Sequence, residues 1–330
     1  MVKPNIIRTI VLGMASAVSA TCTDPAQRKS WSALTSAQKA EYIDSTLCLM
    51  DPERSPSISQ YAGSKTIWED LQVAHVAQVQ FIHRVGAFLP WHRWYMTVHE
   101  NLLREHCSYT GPLPYWDEQT DEAAGPLTSA SIWGNDPATS FGTGASDSNG
   151  CLVDGPFTGV AYDLTANLER GATHCLSYKL NQAQFDLAAQ DIVDACDALE
   201  TYDDFNNCIG GSPHTSGHFA IGGTMDDVSL SPADPLFFMH HTNLDRIWYE
   251  WQTRNESRLT DIAGQNVATS TILTSSQPKS LPESAFVPYF GDNGDVTTLD
   301  HVMWMAGIVP NITIREVMDV KSEAICAEYV

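Results

Sequence analysis

The chain predicts a mainly α-helical fold with long loops and a few short peripheral strands. Apolar residues recur at three- and four-residue spacing through several long segments, Gly, Ser, Asp and Pro gather between them, and the β-branched runs that suggest strands lie beyond Arg254.

The elements follow in order. Residues 1–20 read as a secretory leader: Lys3 and Arg8 precede an apolar run, IVLGMASAV, and Val18, Ser19 and Ala20 offer a cleavage point before Thr21. LTSAQKAEYIDSTLCLM has helical spacing and a cap at Thr35 or Ser36. Apolar periodicity then predicts a helix over about Trp68 to Val85, and Pro90 interrupts before a second long helix, WHRWYMTVHENLLREH. From Thr120 to about Gly159 the periodicity fails, so this stretch is expected as a surface excursion stapled by Cys151. Helix resumes over 180–207, and a last helix should carry His241, Leu244, Ile247, Trp248 and Trp251. VATSTILTS and VPNITIREVMDV have the β-branched content of strands.

Composition narrows the setting. The 18 basic residues fall to 16 once Lys3 and Arg8 are removed, against 40 acidic ones. Such a surface repels nucleic acid and anionic membranes, so neither is expected as a partner. No stretch beyond the leader is long and apolar enough to span a membrane. All 8 cysteines lie beyond the leader, an even number that suits disulfides in an oxidising, extracellular compartment. Asn255 and Asn311 open the sequons NES and NIT and are the expected glycosylation positions.

The histidines carry the chemistry. His75, His83 and His92 form one group; His214, His218 and His241 form a second. His214 and His218 stand one helical turn apart and can converge on one ion. The intervening Thr215, Ser216 and Gly217 lack the glutamate that a zinc protease places after its first histidine, which removes the general base for hydrolysis. His240 and His241 diverge by about 100° on a helix, so one is a ligand and the other a neighbour. His75 and His83, slightly over two turns apart, can face one cavity from a single helix, and His92 follows the proline. Asp245, one turn beyond His241, can fix an imidazole from behind, or else pair with an arginine. His99, His106, His174 and His301 are expected to be structural or surface residues, with Trp304 and Met305 near His301 as candidate lining of an entrance. No CxxC companion, axial Cys and Met pair or zinc-finger spacing accompanies the clusters. Neutral imidazoles suit copper, which cycles by one electron where zinc does not.

At HRVGAFLPWHRWYMTVHENLLRE, PYWDEQTD, HTSGH and DPLFFMHHTNLDRIW, the chain resembles the type-3 copper family of tyrosinases, catechol oxidases and hemocyanins, most closely the shorter fungal polyphenol oxidases. The resemblance spans roughly residues 60–252. It implies a four-helix bundle housing two copper ions, with His75, His83 and His92 on copper A and His214, His218 and His241 on copper B, while His240 is not a ligand. It also implies oxidation of o-diphenols, and by extension o-aminophenols, to o-quinones, with dioxygen as co-substrate reduced to water and small phenols as substrates. Residues 21–330 are read as one catalytic domain, with no extra domain shielding the site. Thr215, Phe238 (or Phe237) and Asp245 are the expected modulators. Phe81 stands where many relatives carry a cysteine joined to a ligand, and Thr215 stands where efficient monophenol hydroxylators often have asparagine. Asp203 and Asp204 are upstream acids without a clear counterpart. Diphenol oxidation is therefore the expected activity, with tyrosinase activity as the alternative, and an oxygen carrier or a metal-free binding protein behind both.

Overall fold

The computed structural model describes residues 22–59, 63–278, 291–292 and 294–330. The expected leader, 1–20, lies outside them. The elements in chain order are β1 (Ala26–Ser30), α1 (Ser36–Met50), α2 (Ile67–Val76), α3 (Val79–Ile82), α4 (Phe88–Cys107), β2 (Leu113–Tyr115), α5 (Glu118–Ala124), β3 (Ala161–Leu164), β4 (Arg170–Cys175), α6 (Gln182–Phe185), α7 (Gln190–Asp197), α8 (Tyr202–Ile209), α9 (Ser212–Ile221), α10 (Leu236–Thr253), α11 (Thr271–Ser276), β5 (Val302–Met303), β6 (Ile312–Thr313), α12 (Ile314–Val317) and β7 (Ala327–Tyr329), with short 3-10 turns between them. The mainly helical expectation holds.

The centre is built from α2, α4, α9 and α10, which bury most of their length on every side. Around it, α1 starts on a capping box in which Thr35 accepts from the Gln38 amide and Gln38 accepts from the Thr35 amide. Its far end is pinned to α4 by the Cys48–Cys107 disulfide. The strands are peripheral. β1 lies between β2 and β7 in a small parallel sheet, which brings the two ends of the described chain together beside the Cys22–Cys326 disulfide.

The structure departs from sequence expectation in four places. The helix expected over about Trp68 to Val85 breaks at Ala77 and Gln78, where the Gln78 side chain donates to the carbonyls of Ala74 and Trp304. Pro90 does not interrupt α4 but sits in its first turn, where its missing N–H has no intrahelical partner to lose. The stretch from Thr120 to Gly159 is irregular after α5, yet Leu127, Ile132, Phe141, Leu152 and Phe157 are buried, so it is packed onto the core rather than carried on the surface. Finally, part of VATSTILTS is helix, in which Thr274, Ser275 and Ser276 return their hydroxyls to carbonyls one turn back, and VPNITIREVMDV gives only a two-residue strand before α12.

A buried charge cluster ties sheet to bundle. Asp245 on α10 accepts from Arg28 Nη1 of β1 at 2.7 Å, from Arg93 Nε of α4 at 2.5 Å and from the Tyr329 hydroxyl of β7 at 2.5 Å. Arg28 also faces Glu100 at 3.6 Å and donates to Thr97, while Arg93 donates to the Val317 and Met318 carbonyls and lies 3.7 Å from the centre of the Trp248 ring. Burial disfavours the Arg28 charge, but Tyr329, Asp245 and Glu100 more than offset it and hold its pKa above the ordinary value. Because both guanidiniums are withdrawn from water, removing the shared carboxylate strands them. Asp245→Asn is expected to lower unfolding free energy by about 3–5 kcal/mol. Denaturant titration at neutral pH measures this, and a loss within experimental error would show that the cluster does not brace the fold.

Candidate metal centre

Each candidate histidine is delivered by its own piece of backbone. His75 sits in the last turn of α2, His83 follows α3 in extended conformation, and His92 lies in the second turn of α4. The break at Ala77 and Gln78 thus replaces the single helix expected to carry both His75 and His83. His214 and His218 occupy one face of α9, and His241 comes from α10.

The rings meet in two adjoining groups. In the first, ring centres are 4.9 Å apart for His75 and His83, 5.9 Å for His75 and His92, and 5.4 Å for His83 and His92. In the second they are 4.7 Å for His214 and His218, 5.3 Å for His214 and His241, and 5.4 Å for His218 and His241. The groups touch where His92 stacks on His241 at 4.3 Å and 11°. Each group brings ligand nitrogens within 4.8 Å of one another. His240 falls inside the second group as well.

Hydrogen bonding selects which nitrogens are free. Nδ1 of His75 donates to the Ser229 carbonyl at 3.0 Å, that of His83 to Val79 at 2.9 Å, that of His92 to Phe88 at 2.8 Å and that of His218 to Met225 at 2.8 Å. A carbonyl can only accept, so in these four rings Nδ1 holds the proton and Nε2 presents a lone pair. Nε2 of His75, His92 and His214 is buried without a protein partner, and those of His218 and His241 face each other at 3.2 Å.

Electrostatics keep the rings neutral. Burial, with neighbouring imidazoles adding to it, drives His75, His92, His214, His218 and His241 well below the ordinary histidine value. Burial lowers His83 to about 4. Six neutral imidazoles in two groups, five of them buried, form a donor set that copper fits.

The remaining expectations sort plainly. Asp245 touches no imidazole; both its oxygens are engaged by the arginines and Tyr329, so the ion-pair alternative describes it. Phe238 lies away from the centre, stacked on His99 at 4.0 Å and packed on Trp68 at 4.9 Å. Phe237 instead backs the clusters, 4.2 Å from His241 and 5.2 Å from His75. His99 is buried among aromatics, His106 and His174 are exposed, and His301 is engaged by Asp292. The Trp304 carbonyl accepts from Gln78 and Trp91, and Met305 is fully buried, so neither forms part of the cavity wall described below.

Sequence reasoning missed Glu118. Its Oε1 lies 2.5 Å from Nδ1 of His240, with both side chains fully buried. Burial raises the Glu118 pKa well above normal and lowers His240 to about 3, favouring the neutral carboxyl and imidazole. Gly217 makes the adjacent packing possible, since a Cβ there would lie 2.2 Å from His240 Nδ1. Glu118 belongs to PYWDEQTD, a visible motif, but its partner is 122 residues away.

A cavity of about 350 Å³ opens onto His83, His214 and His218. Phe88, Met225, Val228, Ile272 and Leu273 give it apolar walls, and Asn206, Asn207 and Thr215 add polar groups. Phe88 lies 4.9 Å from both His92 and His214, between the two clusters. Asp203 and Asp204 are outside this lining; Asp203 accepts from Asn207, and Asp204 is engaged by Thr201.

The comparisons agree with the geometry. The common central domain of tyrosinase matches residues 65–254. A tyrosinase-like protein of Diaporthe leptostromiformis is 31% identical over 336 residues, covering 93% of this chain and 80% of the relative. The N-acetyl-6-hydroxytryptophan oxidase of Emericella nidulans is 29% identical over 371 residues, covering 97% of this chain and 96% of the relative. Among solved structures, a polyphenol oxidase from Thermothelomyces thermophila superposes with a TM-score of 0.72 at 22% identity, covering 93% of this chain and 89% of that one, which supports the shared fold. With the domain match spanning both histidine groups, the chain belongs to the tyrosinase family of type-3 copper proteins, whose fold implies a dinuclear copper site.

Proposed function

We propose that this protein is a secreted polyphenol oxidase that converts o-diphenols, and also o-aminophenols, to o-quinones while reducing dioxygen to water. His75, His83 and His92 hold copper A; His214, His218 and His241 hold copper B. The carrying observation is the open, apolar cavity that reaches His83, His214 and His218, because it gives a small aromatic ring access to the nitrogens that would hold the metals. An oxygen carrier needs no such access.

When bound, the two coppers supply reversible one-electron redox chemistry and the binding of dioxygen. The protein supplies the rest. Four main-chain carbonyls fix the tautomers of His75, His83, His92 and His218 before any substrate arrives. Phe88 and the aliphatic wall exclude water and orient the ring of a catechol. Two catechols give up four electrons and four protons in all, which balances the reduction of one dioxygen to two waters. Glu118 holds His240 beside the second group, so that this imidazole is occupied by a carboxyl.

The preference for diphenols follows from Thr215. Its hydroxyl donates to the Gly211 carbonyl at 2.8 Å, one helical turn back, which takes its proton out of the cavity. An asparagine there would offer an amide for orienting a water that deprotonates a monophenol. A second reading, oxidation of a hydroxylated indole, is supported by the Emericella nidulans relative, named as an N-acetyl-6-hydroxytryptophan oxidase and aligned along nearly its whole length. Export fits the four disulfides, Cys22–Cys326, Cys48–Cys107, Cys151–Cys175 and Cys196–Cys208. No helix among the described residues is long and apolar enough to cross a membrane. We assign residues 21–330 to one catalytic domain and the first 20 to an export leader; Asn255 and Asn311 are exposed and are proposed as glycan acceptors.

Two outcomes are expected of the copper-loaded protein. His218→Ala should retain one copper per chain by elemental analysis and lose catechol oxidation, and a variant with both coppers and full turnover contradicts the ligand set. Thr215→Asn should raise monophenol relative to diphenol oxygen uptake by about two orders of magnitude, the low end of what one positioned proton transfer contributes. An unchanged ratio removes Thr215 from the account of specificity, while reversible oxygen uptake without quinone formation would favour a carrier.

A further inference from the structure

Arg84 lines the cavity and is not used by the oxidation itself. Arg84 follows His83 directly and has φ +52°, the left-handed region in which a residue with a Cβ is uncommon. The turn is fixed from outside: Gln265 donates its side-chain amide to the Arg84 carbonyl at 3.0 Å and accepts the Gly86 amide at 2.9 Å, while Asn206 donates to Val85 at 3.0 Å. Gly86 must be glycine here, because a Cβ would come within 2.4 Å of the Ala263 carbonyl. Nothing in this turn's hydrogen bonding calls on a guanidinium, and glycine would suit the φ of position 84 better than arginine.

The guanidinium is therefore to be explained by what it faces. Arg84 is exposed, lines the cavity next to His83, and forms no ion pair among the described residues of a chain with formal net charge −22. The cavity's other formally charged residue is Asp226, which also borders the neighbouring depression that contains Lys179. Phe219 and Ile272, 40% and 69% exposed, are apolar members of the same cavity lining. A cation without an ion-pair partner among the described residues, beside exposed apolar surface and outside the candidate metal-binding nitrogens, suits a molecule longer than a bare phenol, with an apolar spacer and an anionic end.

We infer that the substrate is an aromatic acid, its phenolic ring turned toward the histidines and its carboxylate bound by Arg84. Arg84 is then a specificity-determining residue; it binds the end of the substrate that does not react. The inference rests on the oxidase reading above and adds the substrate's charge.

The test compares 3-(3,4-dihydroxyphenyl)propionate with 4-ethylcatechol on the copper-loaded full chain, following oxygen uptake. Arg84→Gly removes the guanidinium and suits the backbone, so folding is not at risk; Arg84→Lys keeps the charge. For Arg84→Gly the acid-to-neutral ratio of kcat/KM should fall about fivefold, through KM, on the scale of one partly solvated ion pair. Arg84→Lys should recover part of it, and added salt should raise the acid's KM in the parent protein but not in Arg84→Gly. Calorimetric binding of 3-phenylpropionate, which cannot be oxidised at a catechol, should weaken by the same factor in Arg84→Gly and gives a readout independent of turnover. If both catechols are oxidised and neither the ratio nor this binding changes, the role of Arg84 is overturned while the oxidase reading stands. If neither catechol is oxidised, the oxidase reading fails, and the phenylpropionate measurement still decides whether Arg84 binds a carboxylate.

Discussion

The structure is organised by the cost of burying six imidazoles next to one another. Each would be stable enough in water; packed together they are held neutral, and Nε2 of His75, His92 and His214 is left without a protein partner. Carbonyls at Val79, Phe88, Ser229 and Met225 accept hydrogen bonds from the Nδ1–H groups of four rings and turn their Nε2 inward. That arrangement leaves room for an electrophile between the rings. Metal binding is thus written into the hydrogen-bond pattern as well as into the count of histidines.

Such a centre needs a stiff frame, because α4 and α10 each supply a ring and must keep them in register. The Arg28, Arg93 and Asp245 cluster joins these helices to the small sheet that holds both ends of the described chain. The Cys48–Cys107 disulfide fastens α1 to the same frame at α4, and Cys196–Cys208 joins α7 to α8. The cavity then lies where the frame is open, among the end of α3, α8, α9 and α11. Rigidity on one side and access on the other are what an oxidase of small aromatic molecules requires.

Much of this was legible in the sequence where the signal is local. HTSGH reads as one helical face because its histidines are a turn apart, Thr35 announces the start of α1, and the amphipathic runs of α4 and α10 show their own periodicity. What was not legible depends on distant partners. The break between His75 and His83 is stabilised by Gln78 reaching the Trp304 carbonyl, 226 residues away, so the apolar pattern alone extended the helix too far. Asp245 offered two readings, and the arginine that decides between them lies 217 residues upstream. Phe237 and Phe238 differ by one position, yet one backs the imidazoles and the other packs on His99, a distinction of helical phase that composition does not carry. The β-branched content of VATSTILTS points to a strand, yet Thr271–Ser276 is helical, a choice that composition does not carry.

The most direct test of the account is a copper-edge anomalous difference map from crystals of the copper-loaded protein. The account predicts two peaks per chain, one bound by Nε2 of His75, His83 and His92 and the other by His214, His218 and His241, with His240 left to Glu118. A single peak, or one bound through His240 in place of His241, would contradict the division of the six imidazoles on which the proposed chemistry depends.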